Sequence, residues 1–404
     1  TYGQSALDSM MKVLPGQKGV ERVKTLGNIA WEVGMSDPQK ALVYGAEAMK
    51  LAVGLGDSAV IAQAANDAAI NEYRVGHLQL AVDLNLRALR IREALKDTFG
   101  IAASDSKLAV AYTDMMLFNP ALQHNYAAAS IFERLGDVQR LAQTRGNIGH
   151  LYQQMGDLDK AEKVLMETKE LLAGIDSGYA LAVTTGQLFQ VLDERDDIER
   201  AMKVGLEALA MFESLGMTSE VASVNNELGR LFRKQGDDAA GLEYYRRALE
   251  IASANGDLAG QATYLMNVAS VLSETGQASA ALPLFKRSVA LCREGGFGDQ
   301  HMSSLAGYIK ALEATGDIAE ALDRQKELQT IKDSIYHHDR ITALSDMQVK
   351  YETERTEKEL AQERERTLQQ QAELDRRRAI QALLIGGIIA MGLAVIEHPP
   401  SKPR

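Results

Sequence analysis

The chain has 404 residues, of which 46% are hydrophobic and 25% are charged, so it can bury a sizeable core. Its formal net charge of −11 argues against nucleic-acid binding, because affinity for a phosphate backbone comes mainly from lysine and arginine side chains. The single cysteine, Cys292, excludes an internal disulfide and a zinc site with several cysteine ligands.

The amino-terminal segment, residues 1–20, is predicted to be a lead-in helix. This helix runs from Ala6 to Leu14 and is closed by the Pro15-Gly16 pair, which favours a turn. The chain begins with Thr1 rather than Met, so two origins stay open: a mature product whose signal peptide has been removed, or a fragment.

Residues 21–335 repeat with a period of forty. The stretch from Gly146 to Leu172 is typical of two amphipathic helices joined by a tight turn at Gly156. Steps of forty in the second helix always reach a small residue: Ala41, Ala81, Ala121, Ala161, Ala201, Gly241, Ala281 and Ala321. The turn position holds Ser36, Gly76, Met116, Gly156, Asp196, Gly236, Gly276 and Gly316. A fixed period over this length indicates an all-α solenoid of about eight helix-turn-helix repeats.

The spacing of Gly149 and Tyr152, followed by the Gly156 turn and the small Ala161, resembles the tetratricopeptide repeat (TPR). Forty residues exceed the usual repeat of about 34, as in the long-repeat members of that group. Met116 and Asp196 depart from the glycine expected in the turn. The resemblance implies a right-handed superhelical solenoid whose first helices line a concave groove that binds a protein or peptide ligand.

Residues 336–378 are predicted to form a long charged helix, because residues 340–378 contain no glycine or proline. A broken apolar seam indicates a parallel coiled coil and therefore a homodimer: Ile341, Leu344, Tyr351, Leu360, Leu368 and Leu374. The alternative is a lone solvated helix.

Residues 379–396, from Ala379 to Ile396, are apolar apart from Gln381 and long enough to cross a bilayer. The alternative is a buried soluble helix. Three arginines before the span favour an orientation with the TPR domain in the cytoplasm. A cleaved signal peptide would instead place this domain in the periplasm, and we prefer the periplasmic orientation. The remaining residues 397–404 are predicted to be a disordered or truncated tail.

Chemistry-bearing motifs are missing from the sequence. Phosphate-binding loops, zinc-protease helices, nucleophile elbows and calcium loops do not occur in it. The His337-His338 pair lacks further metal ligands and is predicted to be a solvated hinge. We therefore expect no enzyme activity, no cofactor and no metal site in this chain.

A peptide-binding surface is the candidate site that remains. The first helices of the repeats carry polar side chains that suit an extended peptide backbone, because asparagine both donates and accepts hydrogen bonds. These candidates are Asn28, Arg145, Asn147, Asn226, Arg230 and Asn267. The alternative is that the asparagines join neighbouring helices within the stack.

The order of repeats, charged helix and membrane span resembles the input half of bacterial TPR-containing membrane signalling proteins. The Gln-x-Lys-Tyr-Glu-Thr-Glu stretch at residues 348–354 is most similar to the histidine kinase members, with GGDEF-type and LuxR-type proteins as further relatives. This resemblance implies a sensory input module. A membrane-tethered scaffold without signalling is the alternative, and a third possibility is an enzyme whose catalytic domain lies outside this chain.

Overall fold

The computed structural model describes residues 2–174 and 177–334, together with residues 355, 362 and 366. Within these residues the chain is helical and has no strand. The α-helices are α1 (Tyr2–Val13), α2 (Gly19–Val33), α3 (Pro38–Leu55), α4 (Ser58–Arg74), α5 (Leu78–Leu95), α6 (Thr98–Asp114), α7 (Phe118–Leu135), α8 (Val138–Gln154), α9 (Leu158–Ala173), α10 (Gly178–Glu194), α11 (Ile198–Ser214), α12 (Thr218–Lys234), α13 (Asp238–Asn255), α14 (Leu258–Glu274), α15 (Ala278–Gly295), α16 (Gly298–Thr315) and α17 (318–334). A short 3₁₀ helix, Leu14–Gly16, follows α1.

The helices from α2 to α17 form eight successive hairpins, which agrees with the repeat predicted from the sequence. The small residue of each second helix is buried in every hairpin. In the fourth hairpin, Ala161 of α9 is fully buried, and a Cβ added to Gly149 of α8 would lie only 2.7 Å from Leu165 Cγ. Small residues therefore permit the close approach of the paired helices.

Side-chain caps begin most of the helices. Asp157 Oδ1 accepts a hydrogen bond from the backbone N–H of Lys160, which satisfies one of the donors that a helix start leaves unpaired. Equivalent aspartates cap eight other helices: Asp37, Asp57, Asp97, Asp137, Asp197, Asp237, Asp257 and Asp317. These caps fix the point at which the capped helices begin and so help to preserve the repeat length.

The turn inside each hairpin is built on a left-handed residue, with one exception. Gly156 has a φ of +75°, and Met116 and Asp196 adopt the same conformation, with φ of +56° and +64°. The sequence departures at these two positions therefore change the residue without changing the turn. Ser36 is the exception, since it does not have a positive φ. The helix before it, α2, ends at Val33.

The first helices of the hairpins lie on the inner side of the array. Successive first helices pack directly on one another, as α2 does on α4, α8 on α10 and α14 on α16. Each second helix packs mainly between two first helices, the one of its own hairpin and the one that follows. The groove expected from the sequence is therefore formed by even-numbered helices.

Two compact units divide the chain, Thr1–Thr342 and Ala343–Arg404. The predicted coiled coil at 336–378, the predicted membrane span at 379–396 and the tail at 397–404 lie outside the described residues, apart from residues 355, 362 and 366. Among the helices that the structure describes, none combines the length and the apolar character that a membrane crossing requires.

We expect Met116→Gly to raise the free energy of unfolding by about 0.5–1 kcal/mol. The left-handed conformation costs a residue with a side chain about 1–2 kcal/mol, and the greater freedom of glycine in the unfolded chain offsets about 0.5–1 kcal/mol of the gain. Met116 is 69% exposed, so its removal sacrifices little packing. Urea unfolding, monitored by circular dichroism, measures the change.

Gly156→Ala is the matched control, since it introduces a side chain at the same turn position of the next hairpin. It should lower the unfolding midpoint. A lower midpoint for Met116→Gly as well would mean that the methionine side chain contributes more than its backbone conformation costs.

Candidate functional site

A cavity of about 480 Å³ opens in the groove between the first four hairpins, and we call it the N-terminal groove cavity. Four first helices contribute to its wall: α2, α4, α6 and α8. Its lining residues are Trp31, Ala69, Ile70, Tyr73, Arg74, Ala81, Asn85, Ala103, Ser106, Lys107, Val110, Ala111, Phe132, Arg140, Gln143, Thr144 and Asn147. Four of these are alanines, whose short side chains leave the space open.

One repeat position of the groove is apolar near this cavity and polar further along. Ile70 of α4 and Val110 of α6 occupy the same repeat position, forty residues apart, and both line the cavity. Further along the chain this position turns polar and holds His150, Gln190, Arg230, Ser270 and Lys310. The stack therefore offers an apolar contact surface at its amino-terminal end.

Trp31, the only tryptophan of the sequence, lies at the edge of the cavity and is 50% exposed. The Arg74 guanidinium of α4 lies 4.4 Å from the centre of the indole ring and donates a 2.9 Å hydrogen bond to the Trp31 carbonyl oxygen. A cation over an indole face is electrostatically favourable. Arg74 thereby holds Trp31 in place.

Lys107 of α6 is a partly buried cation in the wall of the cavity. Burial lowers the pKa of its ammonium group, and the Asp67 carboxylate on α4 only partly opposes that effect. Asp67 accepts a 2.8 Å hydrogen bond from Gln63 Nε2, and burial raises the pKa of this carboxyl. Among the described residues no carboxylate forms a hydrogen bond or ion pair with Lys107.

A buried polar network lies beside the apolar wall. Asn66 Nδ2 donates to Asn85 Oδ1 at 2.7 Å, and the Ser104 hydroxyl donates to Asn66 Oδ1 at 3.2 Å. Asn85 lines the cavity although only 3% of its surface is exposed. Since its oxygen is occupied by Asn66, its amide hydrogens are the groups left to face a ligand.

The six residues predicted from the sequence fall into separate places. Asn147 lines the N-terminal groove cavity, and its side chain forms no hydrogen bond with the described residues. Asn28 is exposed on α2 and borders a smaller cavity of about 150 Å³ that also contacts Trp31 and Asp67. These two asparagines therefore border neighbouring cavities that share Trp31.

Arg145 lies away from the groove. Its guanidinium is 3.4 Å from Glu133 Oε1, and it lines a second cavity of about 480 Å³ between α7, α8 and α9. The predicted grouping of Arg145 with the groove asparagines is not what the structure displays.

The remaining three candidates bond within the stack. Asn267 Nδ2 on α14 donates to Asn226 Oδ1 on α12 at 2.7 Å. Arg230 forms ion pairs with Asp193 of α10 and with Glu227 of its own helix. For this group the alternative interpretation of the sequence, bonds between neighbouring helices, describes the geometry.

Sequence reasoning missed the residues that build the cavity. Lys107 stands forty residues before Asn147 in the same repeat position, but the sequence prediction includes only asparagines at that position. Reading the whole column in steps of forty gives Asp67, Lys107, Asn147, Gln187, Glu227, Asn267 and Gly307. The change of residue type along this column was the signal that could have identified Lys107.

Family models of the tetratricopeptide repeat match two segments, residues 142–171 and residues 220–294. These segments contain tetratricopeptide repeats. Neither model describes a catalytic domain. No curated protein matches the sequence.

Several solved structures share the fold of this chain. The chain is similar to a signal transduction ATPase with numerous domains and a tetratricopeptide repeat sensor from Pyrococcus horikoshii, with 19% identity, a TM-score of 0.59, and coverage of 78% of this chain and 46% of that one. It is also similar to aspartyl phosphate phosphatase F from Bacillus subtilis, with 10% identity, a TM-score of 0.56, and coverage of 82% and 93%. A third structure is the Rap conjugation gene regulator of plasmid pLS20 in complex with the Phr* peptide, with 16% identity, a TM-score of 0.50, and coverage of 83% and 96%.

Asn147→Ala and Asn267→Ala are a matched pair, because both residues occupy the same repeat position. Comparing them should separate an effect on peptide binding from an effect on folding stability. Asn267→Ala removes the bond to Asn226 and should cost about 0.5–1.5 kcal/mol of unfolding free energy. Asn147→Ala should change stability by less than about 0.5 kcal/mol and weaken the binding of peptides selected on this chain. Urea unfolding and isothermal titration calorimetry measure the two effects. Equal stability losses in both variants would contradict the distinction.

Proposed function

We propose that this chain is a protein- or peptide-binding module whose ligand occupies the N-terminal groove cavity. The observation that carries the proposal is the cavity itself: it has the volume of a ligand pocket, about 300–1,000 Å³, and combines apolar walls with a few polar groups. Asn147 forms no side-chain hydrogen bond within the described part of the chain. Its amide and that of Asn85 provide donors and an acceptor for a peptide backbone.

The fold supports the same proposal. A curved stack of first helices presents side chains from several hairpins to one extended segment. The pLS20 regulator, whose fold is similar, was solved with a peptide. Because that similarity extends to the fold only, the ligand class for this chain is argued from its own cavity.

Val110→Gln tests the binding site, because Val110 is 40% exposed in the cavity and tolerates a polar side chain. Covering the exposed 40% of Val110 contributes about 1 kcal/mol, so peptides selected on the full chain should bind the variant about fivefold more weakly. Saturation should also change the fluorescence of Trp31, the only tryptophan in the protein.

Ser270→Gln is the control, since it makes the same residue at the same repeat position four hairpins further along. It should leave the affinity unchanged. Equal affinity of wild type and Val110→Gln, together with an unchanged Trp31 spectrum, would place the ligand elsewhere and overturn the proposal.

We further propose that binding serves as the sensory input of a membrane signalling protein. The motivation is the sequence order after the array: a charged segment at 336–378 and an apolar segment at 379–396. A ligand that favours one curvature of the stack would shift the population of helix pairings in the charged segment. A membrane-tethered scaffold is the alternative, and it requires no such shift.

Leu360→Cys distinguishes these two roles. Leu360 is predicted to lie in the apolar seam, where two chains would meet. If the segment relays binding, bound peptide should change the rate at which the two introduced thiols form a disulfide. The native Cys292 thiol is buried, so it serves as an internal background. Cross-linking that proceeds at the same rate with and without a saturating peptide would favour the scaffold.

A further inference from the structure

The N-terminal groove cavity carries a one-sided set of charges. Among the residues that the structure describes, three cations line it, namely Arg74, Lys107 and Arg140, and no aspartate or glutamate does. This contrasts with the chain as a whole, whose net charge is −11. A cleft that concentrates one sign of charge attracts ligands of the opposite sign.

Two of the three cations are already engaged. Arg140 forms an ion pair with Asp137 at 2.5 Å and lies 5.0 Å from the Phe99 ring centre. Arg74 is held by the carbonyl oxygen and the ring of Trp31. Lys107 is the cation for which the described residues provide no bonded partner.

The surroundings of Lys107 favour a carboxylate in particular. Its ammonium is partly buried, so it has lost part of its hydration, and a charge-assisted hydrogen bond from a ligand would replace that loss. Asp67, the neighbouring acid, has Gln63 as its hydrogen-bond donor. Asn147, on the next first helix, lines the same cavity and can donate to a second carboxylate oxygen.

The apolar walls of the cavity determine which residues can flank that carboxylate in a bound peptide. Trp31, Ile70, Val110 and Phe132 line the same cavity and suit aliphatic or aromatic side chains. A phosphate group fits less well, because it carries nearly two negative charges and is usually bound by several cations, whereas a single unbonded one is present among the described lining residues.

We propose that the N-terminal groove cavity selects an acidic side chain, Asp or Glu, flanked by apolar residues in a bound peptide, and that Lys107 pairs with its carboxylate. This inference rests on the proposed peptide-binding function and adds the chemical class of the ligand. Lys107 and Val110 then have different tasks: Lys107 recognises the charge, whereas Val110 contributes apolar contact.

Peptide selection on the full chain, held in lipid nanodiscs, tests the inference. In one library the peptide carboxyl terminus is fused to the display protein, so any acidic preference comes from side chains; a second library has free carboxyl termini. Peptides enriched from the first library should carry Asp or Glu beside aliphatic or aromatic residues. Changing that acid to its amide in a synthetic capped peptide should weaken binding to the wild type at least tenfold.

Three variants complete the design. Lys107→Gln should lower affinity for the acidic peptide at least tenfold and make the acidic and amide peptides nearly equivalent. Lys107→Arg should retain the preference. Lys310→Gln removes the same charge from an exposed groove position of α16 and should change nothing.

The outcomes separate the two proposals. Peptides that need Val110 but bind equally as acid and amide would overturn the acidic preference and leave peptide binding intact. Enrichment only from the library with free termini, or competition by inorganic phosphate with no acidic enrichment, would also overturn it. Enriched peptides that ignore both Val110 and Lys107 would overturn the binding site itself.

Discussion

In each hairpin the second helix meets the first at a small, buried residue. At the fourth hairpin a buried Ala161 on α9 and Gly149 on α8 provide this contact. An inserted residue in either helix would rotate everything after it by about 100°, since an α-helix has 3.6 residues per turn, and would remove the small side chain from the interface. This contact therefore requires a constant repeat length. The left-handed turns and the aspartate caps help to maintain it by fixing where helices end and begin.

A constant repeat length also determines which side chains of the groove meet. Equivalent residues of successive first helices form columns, and a residue in one helix reaches the residue 41 positions later in the next. Pairs with this spacing recur along the stack: Tyr73 with Asp114, Gln153 with Glu194, Asn226 with Asn267, and Arg233 with Glu274. For these side chains, the residue 41 positions away decides whether this bond forms.

This dependence explains how far sequence could predict the structure. The hairpins and turns were predictable because small and left-handed positions recur every forty residues, and even Met116 and Asp196 follow the pattern. The site was harder to predict, because Asn147 and Asn267 look alike in one helix. Their difference lies 41 residues earlier, where Asn267 meets Asn226 and Asn147 has Ser106, whose hydroxyl bonds instead to Ala102.

The same bonds explain why affinity would concentrate at one end of the groove. A ligand that approaches Asn226, Arg230 or Asn267 must exchange existing protein bonds for new ones, and such an exchange yields little net free energy. Lys107 and Asn147 have no described bonds to surrender, and the apolar walls beside them gain from burial. Binding at the N-terminal groove cavity would therefore leave the bonds of Asn226, Arg230 and Asn267 in place.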